Sequence, residues 1–513
     1  MEMSTRRRRE GVRPRRTASA QLPQLPWQEL TNPYPPMEVL APDQIEAIHA
    51  TSLRILEELG IEVMSTRALD VFARAGASVD RATHAVRIDR AMVSEALQTA
   101  PASFTLTPRN PERRLTFGGN RIHFGLVAGP PNVHDLERGR RAGNFNDYCD
   151  FVRLAQYFNV MHLLGNQVCA PIELPATTRH LDTYRANLTW TDRLFHCSAI
   201  GAGRALDAVR MTAIARGLTL DQFALDPGLI TIISVNSPRR LDEAMCEGLM
   251  AMAAHGQAVV VTPFTLMGAM APVSLAAALA QQNAEALFGV VLTQLIRPGA
   301  PVMYGAFTSN VDMRSGAPAF GTPENAKANI ASGQLARRYR LPYRTSNASA
   351  SNAADAQGAY ETQMSLWGAI LGHGNLIYHA AGWQEGGLTA SYEKFILDVE
   401  MLQMMVEFLK PIAVNEAELG FDAIKGVPTG GHFFGEAHTM ERYEHAFYQP
   451  LLSNWQNYEN WHLAGAKDAT QRATEIWKRA LAEYQQPPMD AAVREALDAY
   501  VEARRAEIGS GEP

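Results

Sequence analysis

From about residue 158 to residue 450 the chain alternates between two patterns of apolar and polar positions. Short, nearly continuous apolar runs rich in β-branched residues predict buried strands, and longer segments with apolar residues every three or four positions predict helices. The predicted strands are 159–168, 193–200, 229–237, 258–266, 301–307, 342–349, 376–383 and 431–437. The clearest helical patterns are 204–217, 241–255, 274–297, 324–340, 357–372 and 393–410.

Repeated strand–helix alternation of this kind indicates an α/β protein whose eight parallel strands close into a (β/α)8 TIM barrel. A doubly wound open sheet is the alternative, but no strand is followed by a GxGxxG or P-loop motif. The run 258–280 is uncharged and long enough to cross a membrane. Because Pro263 and Pro272 interrupt it, a strand, a loop and the start of a helix explain it better.

The segments on either side of the barrel have different patterns. Helical periodicity is present at 40–63 and 65–80, short strands with turns are indicated at 103–135, and 453–508 is helical again. The first residues, MEMSTRRRREGVRPRR, are basic and lack the apolar run of a secretory signal. An organelle transit peptide is the alternative, which Glu2 and Glu10 disfavour. The predicted domains are a disordered basic tail (1–35), an N-terminal helical and β extension (36–150), the barrel (151–452) and a C-terminal helical extension (453–513).

The composition restricts the class of protein. The chain has 513 residues, of which 46% are hydrophobic and 19% charged, as in ordinary soluble enzymes. Its net charge of −6 gives no reason to expect nucleic acid as a partner. The four cysteines are scattered without a CxxC pair, so we expect a reducing, cytoplasmic location and no zinc or disulfide framework.

In a TIM barrel the active site lies at the carboxyl ends of the strands. The loop Gly305–Gly321, which follows the fifth predicted strand, is irregular and chemically varied, as expected there. Any one aromatic residue at a strand end is more simply explained by core packing. As a set they predict a pocket that attracts a quaternary ammonium by about 0.5–2 kcal/mol per ring. The predicted substrate-binding rings are Phe264, Tyr304, Phe307 and Trp383. The polar candidates near them are Asn310, Asn347, Ser349, His379 and Glu385.

Other chemistries have weaker support in the sequence. The segment 431–445 contains His432, Glu436 and His438, but it has no HExxH motif and no nearby cysteine. We therefore expect hydrogen-bonding loop residues there and no bound metal. A serine nucleophile is not indicated, because GxSxG is absent and Ser391 is placed to cap a helix.

Several stretches together resemble a known family. They are TLMGAMAPVSLAAALAQQNAEALFGVVLTQLIRPGAPVMYGAF (265–307) and its continuation to 328, SNAADAQGAYET (351–362), GGLTASYEKFILDVEML (386–402) and GGHFFGEAHT (430–439). The sequence resembles the trimethylamine methyltransferase family, and within it the members without pyrrolysine. The resemblance implies a TIM barrel and transfer of a methyl group from an amine to Co(I) of a corrinoid (cobalamin) carried by a partner protein.

The resemblance also bears on the substrate. Only standard residues are present in TSNASASNAADAQ (345–357), where Asn347 and Ser349 lie and where the special residue of trimethylamine-specific members is expected. This points to a quaternary amine such as glycine betaine, with Asn347, Ser349, His379 and Glu385 as catalytic candidates and Asn310 as a further binding residue. Trimethylamine or another methylamine as substrate, a folate as methyl acceptor, and a non-catalytic amine-binding protein are the alternatives. A homo-oligomer is expected.

Overall fold

The computed structural model describes residues 22–510, and its centre is a closed barrel of eight parallel strands. In chain order these are β1 (Arg121–Leu126), β2 (Leu163–Leu164), β3 (Leu194–Phe195), β4 (Ile230–Ile233), β5 (Ala258–Val261), β6 (Val302–Gly305), β7 (Tyr343–Ser346) and β8 (Leu376–Ala381). Strand β8 pairs with β1, and a bridge between His196 and Ile230 joins β3 to β4. The predicted (β/α)8 barrel is therefore confirmed.

One helix follows each strand and covers the outside of the barrel. These helices are α1 (Phe145–Tyr157), α2 (Arg179–Trp190), α3 (Ala202–Arg216), α4 (Glu243–Ala254), α5 (Leu275–Ile296), α6 (Pro323–Tyr339), α7 (Ala356–Leu371) and α8 (Tyr392–Phe408). Most begin at a side chain that caps a backbone N–H, as Thr322 does for α6 and Ser391 does for α8. Helix α5 is long and apolar enough to cross a membrane, but 83% of its most apolar window is buried inside the protein.

The barrel interior is filled by inward-facing side chains at its base. They include Leu163, Leu194, Val260, Met303 and Leu376. The hairpin of Phe104–Leu106 and Leu115–Phe117 closes this end, because its apolar side chains join the same cluster. Space for a ligand therefore remains only towards the carboxyl ends of the strands.

The remaining elements surround the barrel. The N-terminal region has helices Pro42–Arg54, Thr66–Arg74 and Arg90–Thr99, a π-helical turn Ile55–Leu59, and a sheet of Ile61–Val63, Ser78–Asp80, Ala85–Arg87 and Arg240–Leu241. Above the strand ends lie two small sheets, one of Phe264–Met267, Phe307–Val311 and Pro318–Ala319, the other of Asn132–Asp135, Gly139–Ala142, Trp383–Gln384 and Thr389–Ser391. Helices α9 (Ala469–Glu483) and α10 (Ala491–Ser510) end the described chain, with α9 packed on α8.

Three features differ from the sequence prediction. Residues 431–437 form no strand: they are turns that lead into the short helix Ala437–Arg442. The remaining strand of the barrel is Arg121–Leu126, which the prediction had assigned to the extension before residue 151. The described part of the predicted disordered tail is packed, since Leu30–Thr31 pairs with β1. The rest of that tail, 1–21, lies outside the described residues.

Candidate active site

A cavity of about 480 Å³ opens at the carboxyl ends of the barrel strands. Four of the nine predicted site residues line it, namely Phe264, Phe307, His379 and Trp383. The sequence had indicated them because each lies at or just beyond the end of a strand. This is the position at which TIM-barrel enzymes carry their active sites.

The aromatic residues of the cavity are packed into one cluster. The ring of Phe307 lies 5.0 Å from Phe264, 5.5 Å from His379 and 6.0 Å from Trp383, measured between ring centroids. Phe320, which the sequence analysis did not select, stacks on Phe307 at 5.2 Å. The faces of such rings carry partial negative charge, so the cluster is suited to a cation.

The position of Trp383 depends on a glycine. Gly387 has φ +97°, and a Cβ on it would lie 2.4 Å from two ring atoms of Trp383. The turn between the two residues is held by Glu385, whose carboxylate accepts hydrogen bonds from Arg140 at 2.8 and 3.1 Å. This hydrogen bonding with Arg140 lowers the pKa of Glu385. The turn is thus built to bring the tryptophan ring over the cavity.

His379 occupies an unusual backbone position in β8. Its φ is +56°, and the pairing of β8 with β1 is irregular between Ile377 and Ala381. Successive strand residues normally point to opposite faces, but here Tyr378 and His379 both line the cavity. Burial, together with the nearby charge of Arg344, holds the pKa of His379 well below its usual range. The imidazole is therefore neutral at physiological pH.

Arg344 on β7 is the charged residue of the cavity that the sequence analysis missed. It lines the cavity, is 2% exposed, and has no carboxylate partner among residues 22–510. One terminal nitrogen donates to the Ala306 carbonyl at 3.2 Å, while Nε is buried without a hydrogen-bond partner in the described chain. Burial lowers the pKa of Arg344 to about 10, so the guanidinium remains charged at neutral pH.

Tyr378 connects Arg344 to a histidine on the opposite side of the cavity. The guanidinium carbon of Arg344 lies 5.2 Å from the Tyr378 ring centroid. The Tyr378 hydroxyl accepts from the Asn166 backbone N–H at 2.8 Å and is also hydrogen-bonded to Nδ1 of His196. Nε2 of His196 accepts from the Ile232 backbone N–H at 3.0 Å, so its proton is on Nδ1 and points at the tyrosine oxygen. Burial and the charge of Arg344 lower the pKa of His196 to about 3.

Comparison with known proteins identifies the family. The family model described as trimethylamine methyltransferase matches residues 5–509. The chain belongs to this family. It is 38% identical to a glycine betaine methyltransferase of Desulfitobacterium hafniense, over 93% of this chain and 98% of the relative. It is 30% identical to a proline betaine:corrinoid methyltransferase of Eubacterium limosum, over 78% and 84%. A trimethylamine methyltransferase of Desulfitobacterium hafniense is 29% identical over 91% and 94%. The protein is a methyltransferase.

Tyr304 does not belong to the cavity of this methyltransferase. Its hydroxyl accepts from Gln282 at 3.0 Å and donates to Asn283 at 3.0 Å, both on α5. The side chain thus lies between the barrel and the helix layer, whereas its neighbour Met303 points into the barrel. The structure therefore does not bring Tyr304 to the cavity, because side chains alternate between the two faces of a strand, and its predicted role in substrate binding stays a prediction.

The remaining polar candidates support the loops around the cavity. Asn310 accepts from Thr322 at 2.9 Å, and Ser349 donates to Glu361 at 2.9 Å. Asn347 donates to the Ala380 carbonyl at 3.2 Å, while its side-chain oxygen is buried without a partner in the described chain. None of these three, nor Glu385, is among the residues that line the cavity in the described structure. Their catalytic and binding roles stay predictions.

No residues between 22 and 510 form a group of three or more histidine, cysteine or acidic side chains that could hold a metal ion. His432, Glu436 and His438 lie in an exposed region away from the cavity, and His438 contacts the Ala417 carbonyl at 3.2 Å. The expectation that the enzyme works without a tightly bound metal stays a prediction.

Proposed function

We propose that this methyltransferase removes a methyl group from a short betaine, a molecule that carries both a quaternary ammonium and a carboxylate, of which glycine betaine is the simplest. The acceptor is Co(I) of a corrinoid carried by a partner protein. Two relatives named above act on betaines, and one of these is named for its corrinoid acceptor. The observation that carries the proposal is the buried guanidinium of Arg344 in the cavity wall.

The charge of the cavity favours a ligand with an anionic group. No aspartate or glutamate is present among the described lining residues, and His196 and His379 are neutral at pH 7. Arg344 therefore leaves the wall with one positive charge. A buried charge without a partner is costly, and a substrate carboxylate would compensate it through charge-assisted hydrogen bonds. A ligand with only a cationic group, such as choline or a methylammonium ion, would be repelled by Arg344.

The ammonium group has a separate binding surface beside this anchor. The guanidinium carbon of Arg344 lies 5.4 Å from the centroid of the Phe307 ring. The same ring belongs to the cluster of Phe264, His379 and Trp383. The two subsites thus adjoin each other, which suits a molecule with a short link between its two charged groups. A neutral His379 is compatible with this arrangement, since a protonated imidazole would repel the ammonium.

The residues of the cavity are required to bind and orient the substrate rather than to transfer protons. When the methyl–nitrogen bond of a quaternary ammonium breaks, its electron pair stays on nitrogen and the product is a neutral tertiary amine. No general acid is therefore needed, and positioning supplies most of the catalysis. The corrinoid supplies the nucleophile. A cavity of about 480 Å³ accommodates a betaine but not a corrin macrocycle, so the methyl group must be presented at the opening.

The test is a methyl-transfer assay with the purified enzyme and cobalamin reduced to Co(I). The assay compares glycine betaine, choline and trimethylamine as substrates. It also includes 3,3-dimethylbutanoate as a ligand, in which a neutral carbon atom replaces the quaternary nitrogen of glycine betaine. We expect dimethylglycine to form from glycine betaine, and no comparable turnover of choline or trimethylamine. Faster turnover of trimethylamine would contradict the proposal. Transfer to a tetrahydrofolate in place of Co(I) would favour the folate alternative, and tight binding without any turnover would indicate a binding protein.

A further inference from the structure

Between α8 and α9 the chain leaves the body of the protein. Residues 411–450, here called the arm, begin just after Phe408 at the end of α8 and contain only short helices. The chain rejoins the body where the Glu400 carboxylate accepts from the backbone N–H groups of Leu451 and Leu452, at 2.8 and 3.1 Å. The arm is thus anchored at both ends on α8 and extends from it as a loop of 40 residues.

The arm has no core of its own. Each of its residues is exposed or half-exposed to solvent against the rest of the described chain. Seven large apolar side chains are exposed by 60–87% of their area, namely Ile412, Val414, Leu419, Phe421, Ile424, Phe434 and Phe447. These seven together expose apolar area on the order of 800 Å², which is more than the largest apolar patch of a typical monomer. It is about the area that each partner contributes to a stable protein–protein interface.

The body of the protein presents a second apolar surface beside the root of the arm. Tyr360 and Met364 are exposed on one face of α7, and Met404 and Phe408 are exposed on one face of α8. In each pair the two residues are four positions apart, so they lie next to each other on the helix surface. Trp367 of α7 packs edge-on against Phe408 at 4.9 Å and joins the two pairs. We call these exposed residues the α7–α8 patch.

We infer that the arm of one copy of the chain packs on the α7–α8 patch of a second copy, and that the two copies exchange arms about a two-fold axis. The arm starts at the edge of the patch, so a single axis near Phe408 can relate both pairs of surfaces. An exchange of this kind is isologous, because each copy contributes the same two surfaces. The exposed Phe421 and Phe434 then become buried in the interface.

Other partners that could cover the apolar side chains of the arm fit less well. The 21 residues that precede Leu22 contain only Met1, Met3 and Val12 as large apolar residues, too few to cover it. A corrinoid-carrying partner must dissociate between turnovers, whereas strongly apolar surfaces belong to permanent assemblies. A segment without its own core cannot stay ordered in water without burial elsewhere. A second copy is always present when the chain itself is present.

The first test measures the mass of the full-length protein in solution by light scattering and sedimentation. We expect a dimer for the natural protein. Phe421→Glu in the arm and Met404→Lys in the α7–α8 patch should each raise the dimer dissociation constant about 100-fold or more, because each buries an unpaired charge. Leu225→Glu is the matched control, since Leu225 is 81% exposed but lies on the distant helix Leu220–Leu225. It should leave the dimer intact.

The second test is complementation between the two weakened variants. A mixed dimer of Phe421→Glu and Met404→Lys has one natural arm on one natural patch, and its other contact pairs opposite charges. Mixing the two monomeric variants should therefore restore a dimer, with circular dichroism showing that both are folded. A monomeric natural protein, an arm variant that remains dimeric, or a mixture that remains monomeric would each overturn the arm exchange. So would loss of corrinoid-protein binding in the arm variant with no change in dimerisation.

Discussion

The guanidinium carbon of Arg344 lies 5.4 Å from the centre of the Phe307 ring, so the anionic and cationic subsites of the cavity share one aromatic side chain. A ligand that carries only a positive charge is attracted by the rings and repelled by Arg344. A ligand that carries only a negative charge gains no cation–π attraction from the rings. A short zwitterion is attracted by both subsites, because its carboxylate pairs with Arg344 and its ammonium group contacts the rings. The two subsites together restrict the choice of substrate more than either one alone.

Arg344→Met should remove the anchor for the substrate carboxylate. We expect KM for glycine betaine to rise by a factor of about 10–100, because a charge-assisted hydrogen-bonded pair contributes about 1.5–3 kcal/mol. Any residual activity on choline should not fall. Arg240→Met is the control, since the Arg240 side chain pairs with Glu62 at the surface and is not among the residues that line the cavity. An equal loss for glycine betaine and choline would show that Arg344 only supports the fold.

Trp383→Leu should weaken the binding of the ammonium group specifically. We expect a loss of about 0.5–2 kcal/mol in the affinity for glycine betaine, which is the contribution of one ring to a cation. The affinity for 3,3-dimethylbutanoate, which has the same shape without the positive charge, should change much less. Both dissociation constants can be measured by titration calorimetry. Equal losses for the two ligands would mean that the ring only fills space.

Tyr304→Phe should affect stability and not substrate binding. The substitution removes a hydroxyl that is buried between the barrel and α5 and bonded to Gln282 and Asn283. The side-chain oxygen of Asn283 then loses its donor, while Gln282 keeps its hydrogen bond to Ser332 at 3.3 Å. Leaving this buried oxygen without a partner should lower the free energy of unfolding by about 1–3 kcal/mol. KM for glycine betaine should be unchanged in the folded variant. A change in the selectivity between glycine betaine and 3,3-dimethylbutanoate would show that Tyr304 does take part in substrate binding.

Gly387→Ala should displace Trp383. The added Cβ would lie 2.4 Å from the indole ring, and the residue would have to keep φ +97°. We expect kcat/KM to fall by at least as much as in Trp383→Leu. Gly386→Ala is the control because Gly386 also has a positive φ, but the nearest side-chain atom to its added Cβ would be 3.8 Å away. If the activities of the two variants fall equally, the loss comes from backbone strain and not from the clash between the added Cβ and the Trp383 ring.

Acidification should destabilise the protein before its carboxylates titrate. Burial lowers the pKa of His162 and His196 to about 3, below the value of about 6.5 in an unfolded chain. The unfolded state then binds more protons between these values, so stability is full above pH 6.5 and decreases as the pH falls towards 3. Each such histidine contributes a slope of about 1.4 kcal/mol per pH unit.

Denaturant titrations at several pH values measure this slope. His162→Gln should reduce it by the contribution of one proton. A free energy of unfolding that stays constant from pH 7 to pH 5 would show that the pKa values of these histidines are the same in the folded protein as in the unfolded chain.

Much of the architecture follows from the order of residues alone. The helical pattern at 274–297 corresponds to α5 (Leu275–Ile296), and that at 357–372 corresponds to α7 (Ala356–Leu371). Such patterns are local, because one face of each helix must be apolar wherever the helix packs. Phe264, Phe307 and Trp383 of the cavity were also found from the sequence, since the end of a strand is a local feature and the fold places all strand ends together.

What lay beyond the sequence depends on contacts between distant segments. An apolar strand buried on both faces carries no sign of which side points inward, so Tyr304 could not be told from Met303. The strand Arg121–Leu126 enters the barrel only because β8 and β2 are its neighbours. In the sequence, Arg344 is a single charged residue within a predicted strand, and nothing around it indicates that its side chain is buried. Only the tertiary structure removes it from water and from every acidic partner in the described chain, and that isolation makes it available to a substrate.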